Sequence, residues 1–161
     1  AKNDGEVTYE AIMGMKYLDM VFNETARKHP VLDMQNRRAT KDFKIPNTDL
    51  VIPEGTSIMI PTYALHNDER FYENPSKFDP ERFTDENVKK RHPFTFIPFS
   101  EGPRICIGMR FGQMQTKLGL VKLLKNFKIL QCSKTIIPMK YNPTAAFQSP
   151  VGGMWLKLEK L

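Results

Sequence analysis

The sequence predicts an α+β fold, with helices on both sides of a central region of short strands and loops. Apolar residues have helical spacing in two regions, 9–28 and 107–126. Most of the twelve prolines lie between Pro30 and Pro103, where they favour loops and short strands. Apolar and polar residues then alternate after residue 127, which is typical of β-hairpins.

The first helix is predicted at residues 9–28, with Thr8 as its N-cap. Gly14 is the expected point of any interruption, because glycine has a low helix propensity. Pro30 ends the helix, since the residue before a proline is pushed out of the helical conformation. Phe22 belongs to the apolar face of this helix and is expected to point toward a core.

Residues 31–61 are predicted to form short strands separated by turns, at 42–45, 50–52 and 57–60. Residues 62–98 lack a regular period and contain several X-Pro pairs, so they are predicted to form a long irregular loop. In a compact protein such a loop normally has a function or is held by specific side-chain contacts.

The second helix is predicted at residues 107–126 and has apolar residues on two sides. A helix of that kind is usually buried by its neighbours. The tail, residues 127–161, is predicted to form β-hairpins.

The composition is that of one globular domain of 161 residues, of which 40% are hydrophobic and 26% are charged. Two cysteines are too few for a disulfide scaffold, and no apolar run is long enough to cross a membrane. The chain begins with Ala1 and carries no signal peptide, so we expect the natural N-terminus to lie upstream.

The net charge of +6 is concentrated in residues 85–128, where nine basic residues stand against three acidic ones. A basic excess attracts anionic partners, but it is also compatible with an ordinary solvated surface. A nucleic-acid-binding module is a remote alternative, because the basic residues are not interleaved with aromatic ones as such modules require.

Residues 99–108 carry the most specific motif of the chain, Phe-Ser-Glu-Gly-Pro-Arg-Ile-Cys-Ile-Gly. They match the pattern FxxGxRxCxG at all five fixed positions. This segment resembles the haem-binding loop of the cytochrome P-450 family, whose members are haem-thiolate monooxygenases.

The resemblance assigns a role to each fixed position. Cys106 corresponds to the axial thiolate ligand of the haem iron, and Phe99 to the residue that shields its sulfur. Gly102 permits a sharp turn near the porphyrin, and Gly108 permits close approach of a helix. Arg104 is suited to pair with a haem propionate. Without the motif, Cys106 would be interpreted as a buried structural thiol.

Two further motifs follow the order found in the family. Glu24 and Arg27 form ExxR, which places both side chains on one face of a helix. Residues 78–83 match the PERF segment and contain Arg82. The resemblance implies a buried Glu24–Arg27–Arg82 network with a structural role, whereas a Glu/Arg pair considered alone is usually a surface ion pair.

The resemblance extends from about Gly5 to Leu161 and is closest to the insect microsomal branch. It covers roughly the last third of the family's single, mainly helical domain, so that residues 1–161 form its C-terminal part. It implies haem b as the cofactor. The oxygen-activating helix and any membrane anchor are expected upstream, so we expect no catalytic residue of that helix here and no competence of this segment alone.

The function implied is insertion of one oxygen atom from O₂ into apolar small molecules, xenobiotic or endogenous. A flavoprotein reductase would supply electrons from NADPH, and the protein would lie on the cytosolic face of the endoplasmic reticulum membrane. No nucleic-acid partner is expected. A haem-thiolate isomerase or a peroxide-using enzyme remains an alternative, because the acid–alcohol pair that distinguishes them lies upstream.

Other assignments carry less motif support. Arg37 or Arg38 follows the first helix where the family offers a second propionate partner, and Arg37 fits this position better. The family's substrate pocket includes segments that correspond to Val31, Leu32 and Phe147, which are equally consistent with core residues. The chain's three histidines, at positions 29, 66 and 92, share no metal-site spacing and are interpreted as structural or exposed.

Overall fold

The computed structural model describes residues 7–145 and 147–161. Residues 1–6, which include the start of the predicted domain, and Ala146 lie outside the described residues. The described part contains five α-helices and three two-stranded antiparallel sheets, which confirms the α+β fold class. The helices are α1 (Tyr9–Met13), α2 (Lys16–Lys28), α3 (Thr62–His66), α4 (Asp85–Lys90) and α5 (Met109–Asn126); the strands are β1 (Gln35–Arg38), β2 (Phe43–Lys44), β3 (Val51–Ile52), β4 (Ser57–Ile60), β5 (Phe127–Leu130) and β6 (Lys157–Lys160).

The predicted first helix consists of two helices, α1 and α2, separated at Gly14. The Thr8 side chain caps α1 by accepting a hydrogen bond from the Ala11 N–H. The Gly14 N–H donates to the Glu10 carbonyl at 2.9 Å and closes α1. The chain then restarts as α2, which ends at Lys28 before the buried Pro30.

Strand β1 lies where the sequence predicted no strand. It pairs with β4, with Gln35 opposite Ile60 and Arg38 opposite Ser57. All four of its residues are polar, so the apolar alternation that usually marks a strand is missing. Gln35 is buried and Arg37 is half-buried, whereas the other two residues of β1 are exposed. Burial therefore alternates along β1 although all of its residues are polar, and the inner face of the strand carries Gln35 and Arg37.

The 62–98 region contains more regular structure than the predicted irregular loop. It includes α3, α4 and short 3₁₀ turns at Pro80–Phe83 and Pro93–Thr95. Local capping explains most of this order. The Asp79 carboxylate accepts from the Glu81 N–H, and the Thr84 hydroxyl accepts from the Asn87 N–H.

Helix α5 begins at Met109, two residues after the predicted start, and ends at Asn126 as predicted. The sequence predicted that α5 would be buried on both apolar sides, and the structure differs. Phe111 and Leu124 are 64% and 51% exposed, whereas the buried residue of α5 is Lys117, which forms an ion pair with Asp19 of α2. A polar contact thus joins α5 to α2.

The tail forms a β pair, but between distant segments. Strand β5 pairs with β6, and Phe127 lies opposite Lys160. A separate bridge joins Tyr141 to Pro150. None of the described helices combines the length and the hydropathy that crossing a bilayer requires.

Polar groups are prominent among the most deeply buried side chains of the described residues. Glu24, Arg27 and His66 have no exposed surface, and Tyr72 is 1% exposed. Buried polar groups are stable only where their hydrogen bonds are satisfied. The position of these groups therefore decides which segments of the chain must meet.

Candidate functional site

Glu24 and Arg27 form an ion pair one turn apart on α2, with both side chains fully buried. The Arg27 Nε donates to Glu24 Oε2 at 2.7 Å, and its Nη2 donates to Oε1 at 2.9 Å. This two-bond arrangement matches the planar guanidinium to the carboxylate and fixes both side chains.

The remaining donors of Arg27 bind backbone carbonyls of the region that follows β4. Its Nη1 donates to the His66 carbonyl and its Nη2 to the Pro75 carbonyl, both at 2.8 Å. A buried guanidinium needs all of its donors satisfied. Arg27 therefore holds the end of α3 and the 74–77 segment against α2.

Arg82 lies at the other side of the Glu24 carboxylate. Its Nε lies 3.6 Å from Glu24 Oε1, and its Nη2 donates to the Asn74 carbonyl at 2.9 Å. The same Glu24 oxygen accepts a hydrogen bond from the Asp79 N–H at 2.9 Å. The structure thus brings together the three residues of the predicted network, with Arg82 held by charge and by a backbone carbonyl.

His66 is a member of this cluster that sequence reasoning assigned only as structural or exposed. Its Nε2 accepts a hydrogen bond from the Ile97 N–H at 3.0 Å, while its own carbonyl accepts from Arg27. Burial lowers the pKa of His66 to about 4, against the opposing effect of the Arg27 backbone carbonyl. His66 therefore connects the buried ion pair, through its carbonyl, to the segment before Phe99, through its neutral ring.

Two other side chains hold this same segment. The Gln35 amide donates to the Ile97 carbonyl at 2.8 Å, and the Tyr72 hydroxyl donates to the Thr95 carbonyl at 3.0 Å. No motif marked Gln35 or Tyr72 in the sequence. The only signal was that an irregular segment of this length requires specific contacts.

Residues 99–108, termed here the Cys106 loop, follow directly from the held segment. Ser100 and Gly102 have φ values of 68° and 76°, so the loop turns twice through the left-handed region. The turn at Gly102 agrees with the preference of glycine for such angles. The Cys106 N–H donates to the Phe99 carbonyl at 2.9 Å and closes the loop.

Phe99 packs against α2 through its ring, while its carbonyl holds Cys106. The Phe22 and Phe99 rings are parallel, with centroids 6.2 Å apart. They also line an apolar cavity of about 320 Å³ between α2 and α5. The apolar face predicted for Phe22 thus contacts the Cys106 loop.

The Cys106 thiol is exposed at the end of this loop, two residues before the N-cap of α5. Its neighbours Ile105 and Ile107 are 42% and 106% exposed. A Cβ at Gly108, the N-cap of α5, would meet the Cys106 Sγ at 3.9 Å, an ordinary contact, and no side chain of another described helix lies within 4 Å of it. An exposed thiol between exposed isoleucines is unlike a structural cysteine.

Basic side chains lie at the same loop. Arg37 reaches from β1 to the Ser100 hydroxyl at 2.5 Å, whereas the neighbouring Arg38 donates to the Gly55 carbonyl at 3.1 Å. Arg104 is exposed in the 3₁₀ turn Gly102–Arg104. Of the two candidate arginines of β1, Arg37 is therefore the one that contacts the Cys106 loop.

The three residues predicted for a substrate pocket are exposed, not core residues. Val31, Leu32 and Phe147 are 62%, 45% and 59% exposed. The Gln148 N–H donates to the Val31 carbonyl at 3.1 Å, which brings the two segments together.

Comparison with known proteins identifies the family. The family model for cytochrome P450 matches residues 1–156. The chain belongs to the cytochrome P450 family. The family uses haem, iron protoporphyrin IX, as its cofactor.

Insect cytochromes P450 are among the chain's relatives, as the resemblance implied. "Probable cytochrome P450 6a13" of Drosophila melanogaster is 46% identical over 99% of this chain and 32% of its own length. "Cytochrome P450 6j1" of Blattella germanica is 46% identical over 96% of this chain and 31% of its own. "Cytochrome P450 6B1" of Papilio polyxenes is 44% identical over 98% of this chain and 32% of its own length. The chain spans about a third of the length of the curated relatives it matches.

The arrangement of the Cys106 loop fits the P450 cofactor. An accessible sulfur is a suitable ligand for haem iron, and exposed isoleucines on either side of it suit a flat apolar macrocycle. Arg37 and Arg104 are cations at the same loop, a type of side chain that can pair with the carboxylates of such a group.

We expect Glu24→Ala to destabilise the P450 fold by roughly 3–5 kcal/mol, because it leaves the buried Arg27 and the largely buried Arg82 without their carboxylate. Urea unfolding and haem content of the longest chain that contains these residues measure the effect. The control is Glu86→Ala, which removes an exposed pair with Lys90 and should cost less than about 1 kcal/mol. Equal stability of the Glu24 and Glu86 variants would contradict the burial of the network.

We expect His66 to make the P450 fold less stable at acidic pH. Its folded pKa of about 4 lies below the ordinary value of 6.5, so the folded state favours the neutral ring. The contribution is therefore present above pH 6.5 and is lost as pH falls toward 4, by about 3 kcal/mol in total.

The measurement compares the free energy of unfolding of the wild type and His66→Gln across this pH range. The difference in unfolding free energy between the two should shrink as pH falls. Protonation of the imidazole on unfolding lowers the stability of the wild type, whereas glutamine does not titrate. His92→Gln, at an exposed position, should follow the wild type. A difference that stays constant with pH would show that His66 is not held neutral.

Proposed function

We propose that this chain is the haem-ligating part of a P450 monooxygenase, with Cys106 as the axial ligand of the iron. The observation that carries the proposal is the exposed Cys106 thiol at the end of a loop fixed by hydrogen bonds. A thiolate ligand needs access to the metal and a backbone that does not move away from it. When bound, thiolate-ligated haem activates O₂ so that one oxygen atom is inserted into an apolar substrate.

The neighbours of Cys106 have separate roles in this proposal. The Phe99 carbonyl accepts from the Cys106 N–H, and the Phe99 ring packs against Phe22 of α2, so Phe99 would fix the backbone that carries the sulfur. Gly102 supplies the left-handed turn, and Gly108 leaves room beside the sulfur at the start of α5. Glu24, Arg27 and Arg82 would act on the loop indirectly, because Arg27 holds His66 and the His66 ring holds Ile97 ahead of the loop.

Arg37 and Arg104 would pair with the two haem propionates. Arg37 is supported by its contact with Ser100 inside the loop. Arg104 is supported by its exposure and its place two residues before Cys106. A guanidinium binds a carboxylate through parallel hydrogen bonds, which orients the cofactor as well as holding it.

The substrates would be apolar small molecules, xenobiotic or endogenous. Val31, Leu32 and Phe147 would contribute to the rim of the pocket, because they are exposed and lie on segments joined at Val31 and Gln148. Exposed apolar side chains grouped in this way are typical of a binding surface.

Electrons would come from NADPH through a flavoprotein reductase, at the cytosolic face of the endoplasmic reticulum. The basic excess of residues 85–128 supports docking of an acidic partner. Lys117 does not belong to such a surface, because it is buried in an ion pair with Asp19. Arg110, Lys122 and Lys125 of α5 remain exposed.

The deciding experiment supplies the longest natural chain that contains these residues with its haem, a reductase, NADPH and isotope-labelled O₂. The expected result is an apolar probe that gains one labelled oxygen atom. Conversion without incorporation of oxygen from O₂ would instead identify an isomerase or a peroxide-using enzyme.

We expect Cys106→Ser to abolish the thiolate-specific spectrum of the reduced carbon monoxide adduct, because a hydroxyl is a poor donor to iron. Cys132→Ser is the matched control, since Cys132 lies near β5 and bonds the Thr135 hydroxyl. Its spectrum should match the wild type. A wild-type spectrum from Cys106→Ser would exclude Cys106 as the ligand.

We expect Arg37→Ala to weaken haem retention by about tenfold, which corresponds to the loss of one charge-assisted hydrogen bond. Arg38→Ala is the control at the adjacent position of β1, where the side chain bonds Gly55 instead of the Cys106 loop. The rate of haem transfer to apomyoglobin gives the comparison. Equal rates for the two variants would remove Arg37 from the proposed site.

A further inference from the structure

A cavity of about 320 Å³ lies beside the Glu24–Arg27–Arg82 network and is termed here the basic cavity. Every charged residue that lines it is basic, and its lining includes no residue of the Cys106 loop among the described residues. The lining residues that carry its chemistry are Arg70, Arg82, Lys90, Arg91 and His92. Arginine and lysine side chains repel one another at such a density unless anions compensate them.

Arg91 is the least compensated of these cations. Its guanidinium lies 4.8 Å from the centroids of both the Tyr72 and Phe83 rings, and it is half-buried. Its Nη1 donates to the Arg82 carbonyl at 3.3 Å, and no carboxylate pairs with it among the described residues. Burial lowers the pKa of Arg91, which reflects the cost of its unpaired charge.

The other cations of the cavity use their carboxylates locally. Arg70 pairs with the half-buried Asp68, and Lys90 pairs with the exposed Glu86. Arg82 shares Glu24 with Arg27. With Arg27 of the adjoining network counted, three carboxylates stand against five cations, and two positive charges remain. The carboxylates are Asp68, Glu86 and Glu24, and the cations are Arg70, Lys90, Arg82, Arg27 and Arg91.

We propose that the basic cavity binds a phosphate-bearing anion, with the Arg91 guanidinium at its centre and Lys90 and Arg70 at its mouth. Guanidinium groups bind phosphate oxygens through paired hydrogen bonds, and a lysine adds a compact charge. A phosphomonoester near neutral pH carries close to two negative charges, which matches the excess. The site is independent of the haem function proposed above.

Arg91 is suited to this role by its packing. The Tyr72 and Phe83 rings hold its guanidinium by cation–π contact, so that little side-chain entropy is lost when a ligand binds. Its other two nitrogens, Nε and Nη2, donate no hydrogen bond to any of the described residues. The cavity therefore presents a preorganised guanidinium that keeps donors for a ligand beyond its one bond to the Arg82 carbonyl.

The test titrates the haem-loaded, longest natural chain with inorganic phosphate, at constant ionic strength in chloride, and follows the heat of binding. A parallel arm measures sedimentation with vesicles of phosphatidylcholine alone and of phosphatidylcholine mixed with phosphatidate. Binding of inorganic phosphate supports a soluble ligand. Binding restricted to phosphatidate vesicles supports a lipid headgroup of the same chemistry.

Neighbouring lysines of α4 provide matched variants. Lys90→Gln should weaken binding about three- to tenfold, because Lys90 lines the cavity, whereas Lys89→Gln should leave it unchanged, since Lys89 lines a different cavity. Arg91→Gln should weaken it at least tenfold, with haem content as the check of folding. If the Arg91 variant does not fold, the comparison of Lys89→Gln with Lys90→Gln tests whether the basic cavity binds the anion. Absence of saturable binding in both arms, or equal effects of Lys89→Gln and Lys90→Gln, would overturn the proposal.

Discussion

Two charges with no exposed surface, those of Glu24 and Arg27, lie where several separate segments of the chain meet. A buried ion pair is not stabilising by itself, because removing both charges from water costs about as much as their attraction returns. It is tolerated only when the remaining donors and acceptors are satisfied. Here the carbonyls of His66 and Pro75 and the N–H of Asp79 satisfy them, so each of those segments must occupy one position for the pair to exist.

This requirement extends to the Cys106 loop through short steps. The His66 carbonyl accepts a hydrogen bond from Arg27, and the His66 ring accepts one from the Ile97 N–H. The Gln35 amide donates to the Ile97 carbonyl. Ile97 lies two residues before Phe99, whose carbonyl holds the Cys106 N–H. The position of the thiol thus depends on polar contacts that begin at α2, while apolar packing contributes the Phe22–Phe99 stack. A site built in this way is sensitive to the charge and protonation of its supports, not only to their size.

The parts of the fold that local patterns specify could be predicted from the sequence, and the others could not. Glu24 and Arg27 are one turn apart on a helix, so their spacing alone places them together. Strand β1 was missed because its residues are all polar and its partner β4 supplies the pairing that defines it. His66 lies 31 residues from Ile97, and a single contact over that separation leaves no pattern in the sequence. The exposure of α5 was also missed, because its apolar faces predict burial without specifying what covers them.

The three arginines of this cluster, Arg27, Arg82 and Arg91, differ in how many of their donors the protein satisfies. This difference distinguishes an arginine that fixes the backbone from one that can bind a ligand. Arg27 has Glu24 and backbone carbonyls for its donors and leaves nothing for a ligand. Arg82 shares the same carboxylate at a longer distance and takes one carbonyl, that of Asn74. Arg91 has aromatic rings and one long hydrogen bond. Compensation by the protein thus decreases from the centre of the cluster outward. The inner arginine can only fix the backbone, whereas the outer one keeps donors and charge that a bound anion can satisfy.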